Sequence, residues 1–277
     1  MSLLARCRPP CETVLAAHLV LFDHALPFEV EEDSRDRVSR SADVCSPVDI
    51  LHQWPELHRL SSTIPIVFTG VGDPVGGGFV AGLARPGGNI TGFQTFDAAM
   101  GGKWLGLLKE AAPNLSRAAV LFGSDSAANV AYLGAAEAVA RSLGVTVTAI
   151  DVHDGGEGAI ATFASQPDGG LIVMPHPNTI ANRASIIILA ARYRLPAIYP
   201  YRYFATEGGL LSYGFDQIDH WRGAATYVDH ILRGEKPGDL PVQAPTKFEL
   251  VINMKTAKAL GLSIPPGLPL RADEVIE

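Results

Sequence analysis

Cysteine is scarce: the 277-residue chain has three, Cys7, Cys11 and Cys45. An odd number without a CxxC pair supports neither a disulfide framework nor a paired-cysteine zinc site. Charge is thin as well. Asp, Glu, Lys and Arg make up 18% of the residues, and the net charge of −7 argues against the basic surface that a nucleic-acid partner requires. Long apolar runs are missing, since none reaches the roughly 18 residues that would mark a membrane span.

Catalytic and cofactor motifs are lacking too. The stretch "IPIVFTGVGDPVGGGFVAGLARPGGNITGF" runs from a strand into a glycine-crowded loop, as a phosphate cradle would. Gly72 and Gly77 have the P-loop spacing, but Gly78 and Phe79 stand where Lys and Ser/Thr are needed. Gly70 and Gly72 begin a dinucleotide pattern that Val75 breaks. In "GGLLSYG", Leu210 replaces the glycine that a nucleophile elbow needs two places before Ser212. No HExxH occurs, and Asp151, Asp154 and Glu157 in "DVHDGGEG" read as a solvated loop. No enzyme, cofactor or metal is therefore expected.

Glycine (28) and proline (20) are plentiful, spread as turn markers rather than gathered into a tract. From Ser61 onward the order is plain. Strand-like runs "AAVLF", "VTVTAI", "LIVM" and "AIY" begin about 25 residues apart, with helical patterns between them, the signature of βαβ units and a parallel sheet. One helix, residues 129–144, carries Val130, Leu133, Ala136, Ala140 and Leu143 as a stripe and stops at Gly144. Another spans 179–195. Residues 64–112 form a shorter α/β group: strand "IPIVF", a helix near 75–84, the break "RPGGN", strand "ITGF" and helix "GGKWLGLLKEAAP". After "LLSYGFD" comes an amphipathic helix with Ile218, Trp221, Ala225, Val228 and Leu232 on one face. The proline-punctuated tail holds strand "KFELVI" and a short helix.

Residues 1–60 do not share this pattern. "TVLAAHLVLFDHALPFEV" has the length of a signal peptide's apolar core, but His18, Asp23 and His24 interrupt it and no A-x-A site follows. In "LLARC", Arg6 beside Cys7 spoils a lipoprotein signal. One short α/β group cannot cover its own sheet, so this region ought to supply strands that its charged, aperiodic sequence does not display.

Candidate binding residues follow from position. Strand-to-helix turns lie at the carboxyl edge of a parallel sheet, where open α/β folds bind ligands. Asp73 suits an N-cap before Pro74, and free amides near Val75 and Gly76 would meet a carboxylate. Ser124, Asp125, Ser126 and Asn129 open the next turn. His176 and Asn178 follow "LIVM", and a lone histidine there reads first as a turn residue. Tyr199, Tyr201, Tyr203 and Phe204 read as packing residues that would line a ligand only if they faced a cleft.

The stretches 64–93, 101–113 and 208–277 together resemble the ABC-transporter substrate-binding proteins of the tryptophan/tyrosine-binding type, over about Ser61 to Glu277. The resemblance implies a two-lobed α/β protein of the type I periplasmic fold. Lobe one would comprise 61–117 and 214–277 and lobe two 118–213, with residues 1–60 as an atypical N-terminal region that leaves lobe one incomplete. It implies an extracytoplasmic component of an ABC importer that binds a small amino-acid-like solute between its lobes and presents it to a membrane permease. Asp73 and Thr91 match the first lobe's edge, Ser124, Ser126, Asn129 and Asn178 the second's, and Tyr213 and Asp216 the return crossing. Family members begin with a signal peptide and two βα units, which residues 1–60 do not resemble. A cytoplasmic ligand sensor of the same fold, and a truncated product that binds nothing, are the alternatives.

Overall fold

In the computed structural model, which describes residues 18–20, 65–154 and 156–277, the chain divides into two compact units. The first holds the described residues up to Thr95 together with Gln217–Ala244, and the second holds Phe96–Asp216 and Pro245–Glu277. In chain order the elements begin with β1 (His18–Val20), β2 (Ile66–Val71), β3 (Ile90–Gln94), α1 (Met100–Ala111), β4 (Arg117–Phe122) and α2 (Ala127–Ala140). They continue with β5 (Thr146–Asp151), α3 (Gly156–Ala164), β6 (Gly169–Val173), α4 (Pro177–Ala181), α5 (Arg183–Arg192) and β7 (Ala197–Tyr199). Last come α6 (Arg202–Thr206), β8 (Leu211–Phe215), α7 (Gln217–Leu232), β9 (Phe248–Asn253), α8 (Met254–Leu260) and β10 (Glu274–Ile276). Among the described residues no helix is long and apolar enough to cross a membrane.

The first unit has a parallel sheet in the order β1-β2-β3. The strand β1 lies in the N-terminal region whose pattern showed none; the rest of residues 1–60 lies outside the described residues. The helix expected near 75–84 does not form. Its place is taken by a turn in which Gly76 N donates to Asp73 Oδ1 at 2.7 Å and Gly77 N to Asp73 O at 2.9 Å. Three successive glycines, each costing a helix about 1 kcal/mol relative to alanine, outweigh the capping signal, and Gly78 sits at φ +72°, outside helical backbone.

Helix α7 packs on this sheet through a face one or two residues away from the expected stripe. His220 and Ala224 are buried, while Ile218 and Leu232 are 50% and 64% exposed. The reason is an aromatic contact: His220 meets Phe93 edge-on at 5.6 Å, and Tyr227 approaches the same ring at 4.9 Å. A stripe drawn from apolar residues alone misses a histidine that is used as a packing residue.

The second unit is built on one sheet in the order β10-β9-β8-β7-β6-β4-β5. Strands β4 to β8 run parallel, as the βαβ spacing implies, while β9 pairs antiparallel with β8 and β10 parallel with β9. This pairing draws residues 245–277 into the second unit. Helix α1 joins them there, because Trp104, Leu105 and Leu108 are fully buried in its core and Trp104 Nε1 donates to Tyr213 O at 2.8 Å. The family resemblance implies lobe one for both segments, whereas their contacts here are within the second unit.

Helices α1 and α2 come together at Gly101, where an added Cβ would lie 1.8 Å from Tyr132 O. The buried face of α2 is Asn129, Tyr132, Ala136 and Ala140, and Val130, expected on that face, is 50% exposed. The chain leaves α2 through a short 3-10 turn to Gly144 at φ +64°, the expected stop. The expected helix 179–195 is two helices, broken at Asn182, whose Nδ2 turns back to Asn178 O at 2.8 Å. Tyr199, Tyr201 and Phe204 are buried, and Tyr199 stacks on Phe204 at 4.9 Å, so these aromatics are core.

Candidate functional site

Strands β6, β4 and β5 are neighbours and parallel, so their carboxyl ends lie side by side. Each passes into a polar turn: residues 123–126 after β4, 152–154 after β5 and 174–176 after β6. Ser126 caps α2, its Oγ accepting from Asn129 N at 3.3 Å. Asn129 is 2% exposed, and its side chain is fully used. Its Oδ1 accepts from Gly123 N at 3.1 Å, and its Nδ2 donates to Pro175 O at 2.9 Å and Ser126 Oγ at 3.3 Å. One buried amide thus ties the β4 and β6 turns together.

His176 is also buried, 6% exposed, at the start of α4. Its Nδ1 accepts from Asn178 N at 3.2 Å, which places the ring proton on Nε2 in the neutral form. That Nε2 faces Asp125 Oδ1 at 3.0 Å. Thr179 Oγ1 closes the turn, accepting from His176 N at 3.2 Å. Gly123 makes room for the ring: a Cβ there would sit 2.3 Å from His176 Cδ2. From the β5 turn, His153 Nε2 approaches the same Asp125 oxygen at 3.1 Å. His153 N donates to Asp151 Oδ1 at 3.0 Å, which fixes the turn's backbone.

The electrostatics follow from this crowding. Burial holds His176 below the usual histidine range, although the Asp125 carboxylate beside it pulls the other way. Burial pushes the Asp125 carboxyl up, but the His153 hydrogen bond and the charges of His176 and His153 together outweigh it and leave the group below its ordinary value. Asp151 is also held low, by hydrogen bonds from Ser124 and from the His153 backbone. Asp125 and Asp151 are accordingly carboxylates at neutral pH.

Of the residues singled out from sequence, six meet here, Asp125 and His176 among them. Ser124 and Ser126 lie on the β4 turn, Asn129 in the first turn of α2 and Asn178 in α4 just after the β6 turn, with Ser124 exposed, Asn178 half-buried and Asn129 spent on internal bonds. Tyr213 and Asp216 belong to β8 and its end, two strands from β6 in the sheet. Tyr213 stacks on Phe248 at 5.7 Å with Lys103 Nζ over its ring at 5.1 Å, and Asp216 pairs with Lys247 at 3.3 Å. Asp73 is exposed on its turn in the first unit. Thr91 departs from expectation. It is the second residue of β3, far from that strand's carboxyl end, and is fully buried with Oγ1 donating to Leu240 O at 2.6 Å. It serves the first unit's packing, not its edge.

Sequence reasoning places Asp125 at a helix start and passes over His153, and it joins neither of them to His176. Each stands two or three places beyond a strand, as His176 does, but only the strand order β6-β4-β5 makes them neighbours.

A two-unit α/β protein with polar turns at a parallel sheet's carboxyl edge is a small-molecule-binding architecture. The chain belongs to the ABC transporter substrate binding protein family, whose model matches residues 55–276. It is similar to a tyrosine-binding protein of Clostridioides difficile (strain R20291), with 26% identity over 208 residues, 74% of this chain and 59% of that protein. The chain therefore spans less than two thirds of that relative's length. Among solved structures it is similar to an ABC domain in complex with L-Trp from Streptococcus pneumonia, at 25% identity and a TM-score of 0.72 over 79% of this chain and 74% of the other. A conserved domain protein from Vibrio cholerae O1 biovar eltor matches at 29% identity with the same TM-score, also over 79% and 74% of the two chains. The fold is that of the type I periplasmic binding proteins, as the sequence resemblance implied.

Proposed function

We propose that this protein is the solute-binding component of an ABC importer, extracytoplasmic and non-enzymatic, which takes a small amino-acid-like ligand and passes it to a membrane permease. The observation that carries the reading is the convergence of Ser124, Ser126 and Asn178 on adjacent strand ends of the second unit. An exposed hydroxyl at Ser124, a half-buried one at Ser126 and an amide at Asn178, all beside helix starts, can donate to a carboxylate and accept from an ammonium, which is what a zwitterion requires. Asp73, Tyr213 and Asp216 supply further polar and aromatic groups in the proposed set. The L-Trp complex and the tyrosine-binding relative favour an aromatic amino acid as the solute.

Thermal melts with a panel of amino acids test this. A ligand at a hundredfold excess over Kd adds about 2.7 kcal/mol to the folded state. L-tryptophan or L-tyrosine is expected to raise the midpoint, and a flat response across the whole panel would overturn the proposal. Cell fractionation tests the extracytoplasmic placement.

A further inference from the structure

The turn cluster contains one group that solute binding does not require: Asp125, His153 and His176, brought from three adjacent strand ends to a single point. We propose that these three residues form a binding site for a divalent transition-metal ion of the zinc class.

The ligand atoms of the three side chains lie within 4.8 Å of one another, and both Nε2 atoms lie 3.0–3.1 Å from Asp125 Oδ1. Three donors around zinc at 2.0–2.2 Å in tetrahedral geometry stand about 3.3 Å apart, so both histidine–carboxylate spacings are already close to what an ion requires and the two imidazole nitrogens, within 4.8 Å, need only draw together around it. Two imidazoles and a carboxylate are a donor set suited to zinc, cobalt or nickel rather than to calcium or magnesium. The supports are built in. Gly123 has no side chain to obstruct the His176 ring, and Asn129 locks the turns carrying Asp125 and His176 to each other. Three protein ligands leave one position open, and with Asp125 and His153 side chains 51% and 44% exposed it faces water or a small ligand's donor atom.

Without an ion, the two imidazoles hydrogen-bond to the carboxylate. The proton on His176 Nε2 occupies the place the metal would take. On binding, the Nε2 proton of each ring shifts to its own Nδ1, so no proton is lost overall, and on His176 the Asn178 N–H bond at 3.2 Å is given up. That bond is at the long end of the hydrogen-bond range, so it is a weak obstacle beside metal–imidazole coordination.

The test is a Co2+ titration of the full chain followed by its visible bands, with thermal melts in Zn2+ and in EDTA. Saturable binding of one equivalent at this cluster is expected, with a higher melting midpoint in Zn2+. Asp125→Ala and His153→Ala, both at half-exposed positions, should each weaken that binding about tenfold or more. The variants are decisive because Cys7, Cys11, Cys45 and four histidines before residue 60 offer other metal donors. Absence of saturable binding, or full affinity retained in either variant, would overturn the site. Neither result bears on whether amino acids bind.

Discussion

The side-chain amide of Asn129 donates to the carbonyl of Pro175 at 2.9 Å, across 46 residues of chain, and holds the turn after β4 against the turn after β6. Two further bonds, to Gly123 N and Ser126 Oγ, saturate the group in a site 2% exposed. Asn129→Ala strips the buried Gly123 amide and the part-buried Pro175 carbonyl of their partners at once. The cost of such orphaned groups is about 1–3 kcal/mol each. The variant should unfold at clearly lower denaturant, with an unchanged slope. An unaltered midpoint would mean that the turns are held by other means.

Gly101 and Gly106 lie five residues apart in α1 and should respond oppositely to the same substitution. At Gly101 a methyl group would meet Tyr132 O at 1.8 Å, in the backbone of the neighbouring helix, whereas at Gly106 it would meet nothing within 4 Å. Gly101→Ala forces the two helices apart, and overpacking of this kind costs about 1–3 kcal/mol. Gly106→Ala removes only the glycine penalty and should stabilise by about 0.5–1 kcal/mol. Calorimetric melting of both variants gives the comparison, and equal shifts would contradict the close approach.

Tyr199 is 1% exposed and its hydroxyl has no hydrogen-bond partner among the described residues, while burial raises its pKa far above the ordinary range. The ring is held by stacking on Phe204. Tyr199→Phe keeps the stacking and removes a polar atom left without a partner. It should be neutral or stabilising by about 1 kcal/mol in chemical denaturation. A loss of more than that would reveal a partner for the hydroxyl.

How far the sequence foretold this architecture depends on what kind of signal each part carries. Strands β4 to β7 were readable because apolar runs recur at the length of one βα unit, and Gly144 was readable because a left-handed stop favours glycine. Buried helix faces were misplaced wherever a polar residue packs: Asn129 in α2 and His220 in α7 are inside, while Val130 and Ile218 are outside. Apolar periodicity has no means of showing that. Asp73 was recognised as a capping residue, but its cap starts a turn, because the glycines that follow disfavour a helix. Of the proposed binding residues, Ser124, Ser126 and Asn178 are legible as strand-end positions, and the structure has them at strand ends. The grouping of Asp125 with His153 and His176 depends on lateral strand order, which spacing along the chain does not encode.

Thr91 offers the sharpest division between a packing role and a binding role. Its hydroxyl donates to Leu240 O in the first unit's interior, remote from the carboxyl end of its strand. Replacing it by valine keeps the shape but leaves that carbonyl unpaired and buries a methyl in the hydroxyl's place. Thr91→Val should therefore cost about 1–2 kcal/mol in unfolding free energy and leave the affinity for a bound amino acid within about twofold once the folded fraction is accounted for. Ser124→Ala and Asn178→Ala should do the reverse, lowering affinity by about tenfold for a lost hydrogen bond to a charged group with little change in stability. Isothermal titration with L-tryptophan alongside denaturant melts measures both quantities. A Thr91→Val variant that is fully stable and fails to bind would return this residue to the solute site and require a different first-unit edge.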